Sequence, residues 1–276
     1  MQRRLIFWFQ LGLTLLLSLF LLVPMGMSIL AGLTVNVFQG LKSGLTFRWV
    51  IEVWGLYADS VWLSVVIALA CLAVTLVLGV PLAYVLARRQ NRWTRLFEEL
   101  LTLPVAIPGL AIALALLISY GGFKEFRTSW LFILVGHVLF TLPFMVRSVA
   151  AVFSSIDLKT LEEGAASLGA GFWKRFFSVV LPNGKPGILA GALMVLTLSV
   201  GEFNLTWMLH TPYTKTLPVG LADTYASMRL EIGSAYTLIF FLMIVPLLVA
   251  MQMAADWKPR PIAQDDHTAN PQEAAA

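Results

Sequence analysis

Six long stretches of this chain contain no Asp, Glu, Lys or Arg, and they constrain its fold more than any other feature. They are residues 5–41, 60–87, 100–123, 128–146, 186–201 and 232–255. Most exceed the roughly 20 residues that a helix needs to cross about 30 Å of hydrocarbon. Only 12% of the residues are charged, against about a quarter in ordinary soluble domains. The sequence therefore predicts a membrane protein with six spans.

The predicted fold class is all-α. Lipid offers no partner to backbone N–H and C=O groups, so a span must be a helix or a strand of a closed barrel. A barrel would need alternating strands of about ten residues, and the sequence lacks that pattern. We expect kinks at the prolines inside the spans, since neighbouring helices can satisfy the freed carbonyls; these are Pro24, Pro81, Pro104, Pro108, Pro143 and Pro246.

The fifth stretch is the shortest, with 16 charge-free residues. If the single acid Glu202 is included, the apolar stretch continues to Thr214. We therefore expect a span that begins at about Gly187 and ends near or just beyond Glu202.

The distribution of Lys and Arg predicts the orientation. With the N-terminus inside, 13 of the 19 cationic residues fall on one side and 6 on the other. This excess places both termini, and the segment between the fourth and fifth spans, in the cytoplasm. The net charge of +4 then reflects topology and gives little support to nucleic-acid binding. Four arginines after the second span are interpreted as topology anchors: Arg88, Arg89, Arg92 and Arg95.

The chain lacks the residue patterns of an enzyme. Its histidines, His137, His210 and His267, are far apart in sequence, so no metal site is predicted. Nucleophile elbows, phosphate-binding loops and paired intramembrane carboxylates are also missing. We predict no catalytic residue, and any energy for moving a solute must come from a partner.

A polar segment interrupts the apolar chain between the fourth and fifth stretches; over 161–182 it reads LEEGAASLGAGFWKRFFSVVLP. Asp157 is placed to cap a helix with acids in its early turns, and Gly169 is placed to end it. An aromatic, amphipathic piece follows, which Pro182 is expected to stop. The pattern leaves two interpretations open: a helix lying on the bilayer, or a helix whose small residues admit a partner protein.

This segment resembles the signature of permease subunits of bacterial ABC importers, E-A-A-x3-G-x9-I-x-L-P. The matching residues have the same spacing: Glu163, Gly164, Ala165, Gly169, Val179, Leu181 and Pro182. Gly164 replaces the first Ala, and Val179 replaces Ile. Other parts are similar to the third, fourth and fifth spans of that family, namely LPVAIPG (103–109), GHVLFTLPFMVRSV (136–149), LSVGEFNLTWML (198–209) and KTLPVGL (215–221). The resemblance covers roughly residues 60 to 250.

The resemblance implies a type I importer permease with six transmembrane helices and a cytoplasmic coupling helix between helices 4 and 5. A first helix and periplasmic loop would occupy 1–59, the permease core 60–255 with its coupling motif at 157–182, and a disordered cytoplasmic tail 256–276. The protein would lie in a bacterial inner membrane, in contact with lipid. Its partners would be ATP-binding subunits, a second permease and a periplasmic solute-binding protein. ATP and Mg would bind the partner ATPase, so no cofactor is expected in this chain.

The resemblance also assigns candidate residues. Those expected to serve ATPase coupling are Glu163, Gly164, Ala165, Gly169, Leu181 and Pro182, the last two by ending the motif helix and directing the fifth span. Glu202 is the one acid in or near a span, and with Asn204 it is a candidate for the solute path; the alternative is an interfacial residue. His137 is expected to be a hydrogen-bonded packing residue.

A secondary transporter or channel subunit is the alternative function. It would carry similar spans but should show coupling charges at mid-membrane or inverted repeats, and the sequence shows neither. The sequence leaves open the solute, the residues of its path, and whether the two permeases are identical. The GEFN run (201–204) resembles family members that carry small charged solutes more than sugar permeases.

Overall fold

The computed structural model describes residues 2–89 and 91–256, and within that part the chain is a bundle of α-helices. This confirms the predicted all-α fold. The predicted disordered tail falls almost wholly outside the described residues. The helices are α1 (Gln2–Ala31), α2 (Arg48–Arg88), α3 (Arg92–Ala106), α4 (Gly109–Tyr120), α5 (Lys124–Thr128), α6 (Trp130–Ser155), α7 (Leu158–Ser167), α8 (Phe172–Arg175), α9 (Leu181–Gly201), α10 (Asn204–Leu209), α11 (Leu217–Ala226) and α12 (Leu230–Asp256).

Five helical segments of the described chain are long and apolar enough to cross a bilayer: Arg3–Ala31, Arg48–Arg88, Trp130–Ser155, Phe172–Gly201 and Leu230–Met253. A sixth candidate is the pair α3 and α4, which meet at an angle of 102°. The described helices therefore provide five spans, or six if the bent pair is counted as one.

Proline has different effects in different spans. The third apolar stretch is two helices rather than one kinked helix, because Ile107 adopts an extended conformation (φ −91°, ψ 133°) directly before Pro108. The clash with a proline ring pushes the preceding residue out of the α region, which explains the break. Elsewhere the helices run through their prolines, at Pro24, Pro81, Pro104, Pro143 and Pro246.

The helix that contains the fifth apolar stretch begins earlier than that stretch. The chain is helical without a break from Phe172 to Gly201, and the start of the membrane span at about Gly187 stays a prediction. The expectation that Leu181 and Pro182 end the preceding helix is wrong, because both residues lie inside this continuous helix.

A π-helical turn over Phe176–Val180 explains how the helix passes this proline. The Leu181 N–H donates to the carbonyl of Phe176, five residues back. Pro182 lies in the first turn of α9 and has no N–H to donate. The Asn183 side-chain amide donates to the Val179 carbonyl over 2.7 Å, so this carbonyl near the end of the π turn has a partner.

The centre of the bundle is formed by α2, α6 and α9, which pack most extensively against one another. Glycines on α9 allow this close approach. A Cβ at Gly191 would come within 2.7 Å of the Met145 sulfur, and one at Gly187 within 2.7 Å of the Ser148 carbonyl oxygen. The same core continues to Leu158 at the start of α7 and to Phe176 in the π turn. The segment between α6 and α9 is thus packed onto the bundle.

Candidate functional site

The N-terminus of α7 is capped as the sequence predicted. The Asp157 carboxylate accepts the Thr160 hydroxyl over 2.6 Å and the Thr160 backbone N–H over 3.2 Å. Both hydrogen bonds favour the ionised carboxylate, the one from the hydroxyl more than the one from the N–H. They lower the pKa of Asp157 from its ordinary value.

The C-terminus of α7 is closed by Gly169, whose φ of +82° lies in the left-handed region. Its N–H donates to the Ala166 carbonyl over 2.9 Å, and the Ala170 N–H donates to the Ala165 carbonyl over 3.1 Å. These two bonds form a Schellman motif, which is most often built on glycine at this position. The sequence prediction that Gly169 ends the helix is confirmed. Both ends of α7 are therefore fixed by local hydrogen bonds.

One side of α7 is open, and we call it the outer face of α7: Leu161, Glu163 and Gly164 of the helix, with its C-cap residue Leu168. The Glu163 side chain is 64% exposed and lies 3.8 Å from the exposed Lys159 ammonium. Leu168 is 88% exposed, and a Cβ at Gly164 would meet nothing within 4 Å. Two apolar side chains and an acid thus face outward around a small residue.

The opposite side of α7 is closed by Glu162, which is 1% exposed. Its carboxylate accepts the Tyr84 hydroxyl over 2.7 Å and the Arg88 guanidinium over 2.8 and 3.0 Å. Arg88 also donates to the Tyr84 oxygen over 2.5 Å. We call Tyr84, Arg88 and Glu162 the Glu162 clamp.

Sequence reasoning missed this clamp. The sequence pattern predicts only that Glu162 is one of the acids in the early turns of the helix and that Arg88 is a topology anchor. The spacing of Tyr84 and Arg88 gave a partial signal. The two residues are four apart at the end of a span, so both side chains lie on one helix face and can bind the same acid. Their partner lies 74 residues further along the chain from Arg88, and spacing alone could not identify it.

The remaining coupling candidates do not lie on the outer face of α7. Ala165 is half-buried on α7. Leu181 and Pro182 open α9, after the π turn against which α7 packs. Leu181 is half-buried and Pro182 is exposed. Their role in coupling stays a prediction.

Glu202 follows α9, and its carboxylate organises the start of α10. It accepts the backbone N–H groups of Leu205 and Thr206 and the Thr206 hydroxyl, each over 2.9 Å. Its side chain is only 8% exposed. The neighbouring Asn204 is exposed. Whether either residue lines the solute path stays a prediction.

His137 on α6 is buried beside Glu202. Its ring nitrogens lie 2.8 Å from the Ser199 hydroxyl and 2.8 Å from the Thr206 hydroxyl. Both ring nitrogens therefore have a hydroxyl partner, which confirms the expected packing role. In the part of the chain that the structure describes, no cluster of three or more His, Cys, Asp or Glu side chains could hold a metal ion.

The chain also matches a known family. Residues 79–258 match the family described as the binding-protein-dependent transport system inner membrane component. The chain belongs to this family.

Three relatives are permease proteins of molybdenum, sulfate and 2-aminoethylphosphonate transport systems. The chain is 30% identical over 223 residues to the molybdenum transport system permease protein ModB of Escherichia coli (strain K12), covering 73% of this chain and 95% of that protein. It is 29% identical to the sulfate transport system permease protein CysW of Synechocystis sp. (strain ATCC 27184 / PCC 6803 / Kazusa), covering 71% and 76%. It is 26% identical to a putative 2-aminoethylphosphonate transport system permease protein PhnV of Salmonella choleraesuis (strain SC-B67), covering 88% and 92%.

Solved structures share the fold. A bacterial ABC transporter that imports the acidic polysaccharide alginate matches with a TM-score of 0.70 at 16% identity, over 92% of this chain and 96% of that one. The protein is thus a multi-pass membrane protein and a permease subunit of a binding-protein-dependent ABC importer. It is a transport subunit rather than an enzyme, as are the permease relatives.

Proposed function

We propose that this permease forms half of the solute pathway in an importer of small tetrahedral oxyanions or phosphonates. The proposal is supported by the relatives, whose names refer to molybdenum, sulfate and 2-aminoethylphosphonate. Molybdate, sulfate and phosphonates share a compact anionic centre surrounded by oxygen atoms. The assembly would contain a second permease, two ATP-binding subunits and a periplasmic solute-binding protein. This chain would bind no cofactor, since ATP and Mg would bind the ATPase.

The proposed location is a bacterial inner membrane, with six spans and both termini in the cytoplasm. The excess of Lys and Arg on one side, 13 against 6, supports this orientation. Counting α3 and α4 as one broken span supports the number six. A reporter fused after Lys174 should give a cytoplasmic signal. A periplasmic signal there would overturn the orientation.

The outer face of α7 is the proposed ATPase contact, and the exposure of Glu163 and Leu168 is the observation that carries this proposal. Apolar side chains around an acid and a small residue suit a protein cleft. The helix follows α6 directly and leads through the π turn into α9. Closure of the ATPase pair would therefore move both spans and switch the pathway between outward and inward opening. Differential contact of α7 with two ATPase states would supply the coupling.

For the solute path we propose different roles for the two candidate residues. Asn204 is exposed, and its amide can donate hydrogen bonds to an oxyanion. Glu202 would shape the wall, because its carboxylate already accepts three hydrogen bonds and would repel an anion.

The test begins with the solute-binding protein that assembles with this permease in the proposed importer. We expect calorimetry to detect binding of one probe among molybdate, sulfate and 2-aminoethylphosphonate. Proteoliposomes with the full complex should then take up that probe only when ATP and the ATPase are present. Binding of none of the three would overturn the proposed solute class. Uptake by this chain without an ATPase would favour the secondary-transporter alternative.

A further inference from the structure

We infer that Arg88 and Glu162 are positioning residues that fasten the coupling helix to α2, so that ATPase movement reaches a third span besides α6 and α9. This inference rests on the proposed coupling role of α7. The chain itself connects α7 only to α6 and, through α8 and the π turn, to α9. The clamp adds a noncovalent connection to a span that ends 70 residues before α7 begins.

The charges of the clamp make this connection specific. Glu162 is 1% exposed, so its carboxylate has lost almost all contact with water and depends on its two donors. Arg88 is 39% exposed and keeps part of its hydration. A buried carboxylate held by a charged donor and a hydroxyl has a narrow range of acceptable positions. The inner side of α7 therefore cannot slide along α2 without breaking these bonds.

Aromatic contacts connect Tyr84 of the Glu162 clamp with the elements on both sides of α7, which are α6 before it and the π turn after it. The Tyr84 ring lies 6.4 Å from the Phe153 ring of α6 and 5.6 Å from the Phe176 ring of the π turn, both edge to face. A third ring, Phe172 of α8, lies 6.5 Å away. Edge-to-face contacts at these distances are favourable. One residue of α2 thus touches the segments before and after α7.

The N-terminal half of α2 is also held by contacts with other elements. Arg229, in the connection between α11 and α12, donates to Glu52 over 2.6 Å. The Leu217 N–H at the start of α11 donates to the Ser64 hydroxyl over 2.7 Å. Because α2 is one continuous helix of 41 residues, it connects the clamp near its C-terminal end with the contacts that its N-terminal half makes with α11 and with Arg229 before α12. A displacement of α7 can therefore reach those helices through α2.

The test compares Glu162→Gln with Glu98→Gln in the assembled complex. Glu98 is an exposed acid of α3 without an ion pair among the described residues, so the same change there serves as a matched control. Two quantities are measured: hydrogen exchange of the α7 amides, and uptake per ATP hydrolysed, with molybdate, sulfate and 2-aminoethylphosphonate as probes. Co-purification of the ATPase is recorded separately.

We expect Glu162→Gln to leave ATPase co-purification intact, to speed exchange in α7, and to lower uptake per ATP by about tenfold, the effect of losing a charge-assisted hydrogen bond. Glu98→Gln should change neither quantity. Unchanged exchange in α7 would overturn the clamp. Faster exchange with an unchanged uptake ratio would overturn its role in coupling and leave the proposed function standing.

If Glu162 has a purely structural role, Glu162→Gln should reduce the amount of folded complex and leave uptake per ATP unchanged. That outcome would also overturn the inference. If the unmodified chain binds no ATPase, the proposed function fails instead. Exchange measured on the full chain alone still decides in that case whether Glu162 anchors α7.

Discussion

The two sides of α7 carry the same residue type in adjacent positions with opposite surroundings. Glu162 is buried against α2, whereas the Glu163 side chain is 64% exposed and, among the described residues, has its ion pair with Lys159 on its own helix. Successive residues on an α-helix are rotated by about 100°, which is enough to direct one acid into the bundle and the next away from it. The comparison shows that α7 combines two functions. Its inner side attaches it to the spans, and its outer face is exposed for contact with a partner.

The energies of the two contacts also differ. An exposed pair four residues apart on a helix contributes about 0.3–0.5 kcal/mol, so the Glu163 contact with Lys159 adds little to stability. Removing one partner of a buried pair costs more, because the other charge is left without compensation. Mutations on the inner side should therefore affect stability, and mutations on the outer face should affect association.

The largest effect is expected from Arg88→Gln. This change leaves the Glu162 carboxylate buried with the Tyr84 hydroxyl as its remaining donor, and we expect a loss of about 2 kcal/mol in unfolding free energy. The measurement is thermal unfolding of the purified chain in detergent. The double variant Arg88→Gln with Glu162→Gln removes the stranded charge and should recover part of the loss. If the double variant is less stable than the single one, the clamp does not depend on a buried charge.

Gly169→Val should come next. A β-branched residue is strongly disfavoured at the observed φ of +82°, so the Schellman turn should open and the outer face of α7 should lose its shape. We expect loss of ATPase co-purification while the spans still insert. The control is Gly171→Ala, because Gly171 has a φ of −67° and open space around its Cβ position. Equal damage from both changes would mean that the left-handed turn is not what matters.

Glu163→Lys tests the outer face directly. In the proposed contact the new cation is unpaired or repelled, and we expect ATPase co-purification and binding-protein-stimulated hydrolysis to fall about tenfold or more. A helix lying on anionic lipid would tolerate the same change or bind the membrane more strongly. Full assembly with unchanged stimulated hydrolysis would therefore favour the surface-helix interpretation.

The smallest effect is expected from Asp157→Ala, which removes the N-cap but no contact with another element. Hydrogen exchange of the backbone amides in the first turn of α7, measured on the purified chain, should become faster. Asp157→Asn should preserve most of the protection of these amides from exchange, because Asn also caps helices well. The folded pKa of Asp157 lies below its ordinary 3.8, so its stabilisation is complete above that pH and is lost as the pH falls through the folded pKa. Identical pH dependence of Asp157→Asn and the unmodified chain below pH 4 would contradict this assignment.

Local signals in the sequence predicted the ends of α7 correctly. Asp157 and Gly169 act through hydrogen bonds and backbone conformation within a few residues of themselves, so residue type and position were sufficient. The same kind of local reasoning failed at Pro182. Whether a proline ends a helix depends on alternative partners for the preceding carbonyls, and here a π turn and Asn183 provide them.

Proline also shows why the third and fifth spans were difficult to predict. Pro108 follows an extended Ile107 and separates two helices by 102°, whereas Pro182 lies inside a continuous helix. Both residues interrupt backbone hydrogen bonding, and the outcome depends on whether the preceding residues can rearrange within the packed bundle. Composition contains no information about that rearrangement.

By itself the sequence determined the apolar stretches, the all-α class, the capped helix between α6 and α9 and the family signature, because lipid solvation and backbone hydrogen bonding act on neighbouring residues. Only the tertiary structure decided that Glu162 rather than Glu163 is buried, that Arg88 is its partner, and that the Glu202 carboxylate caps α10 beside His137. The physical reason is that a charge inside the bundle is stable only where donors from other elements converge on it. Those donors come from residues far away in the chain, and they meet only when the helices pack.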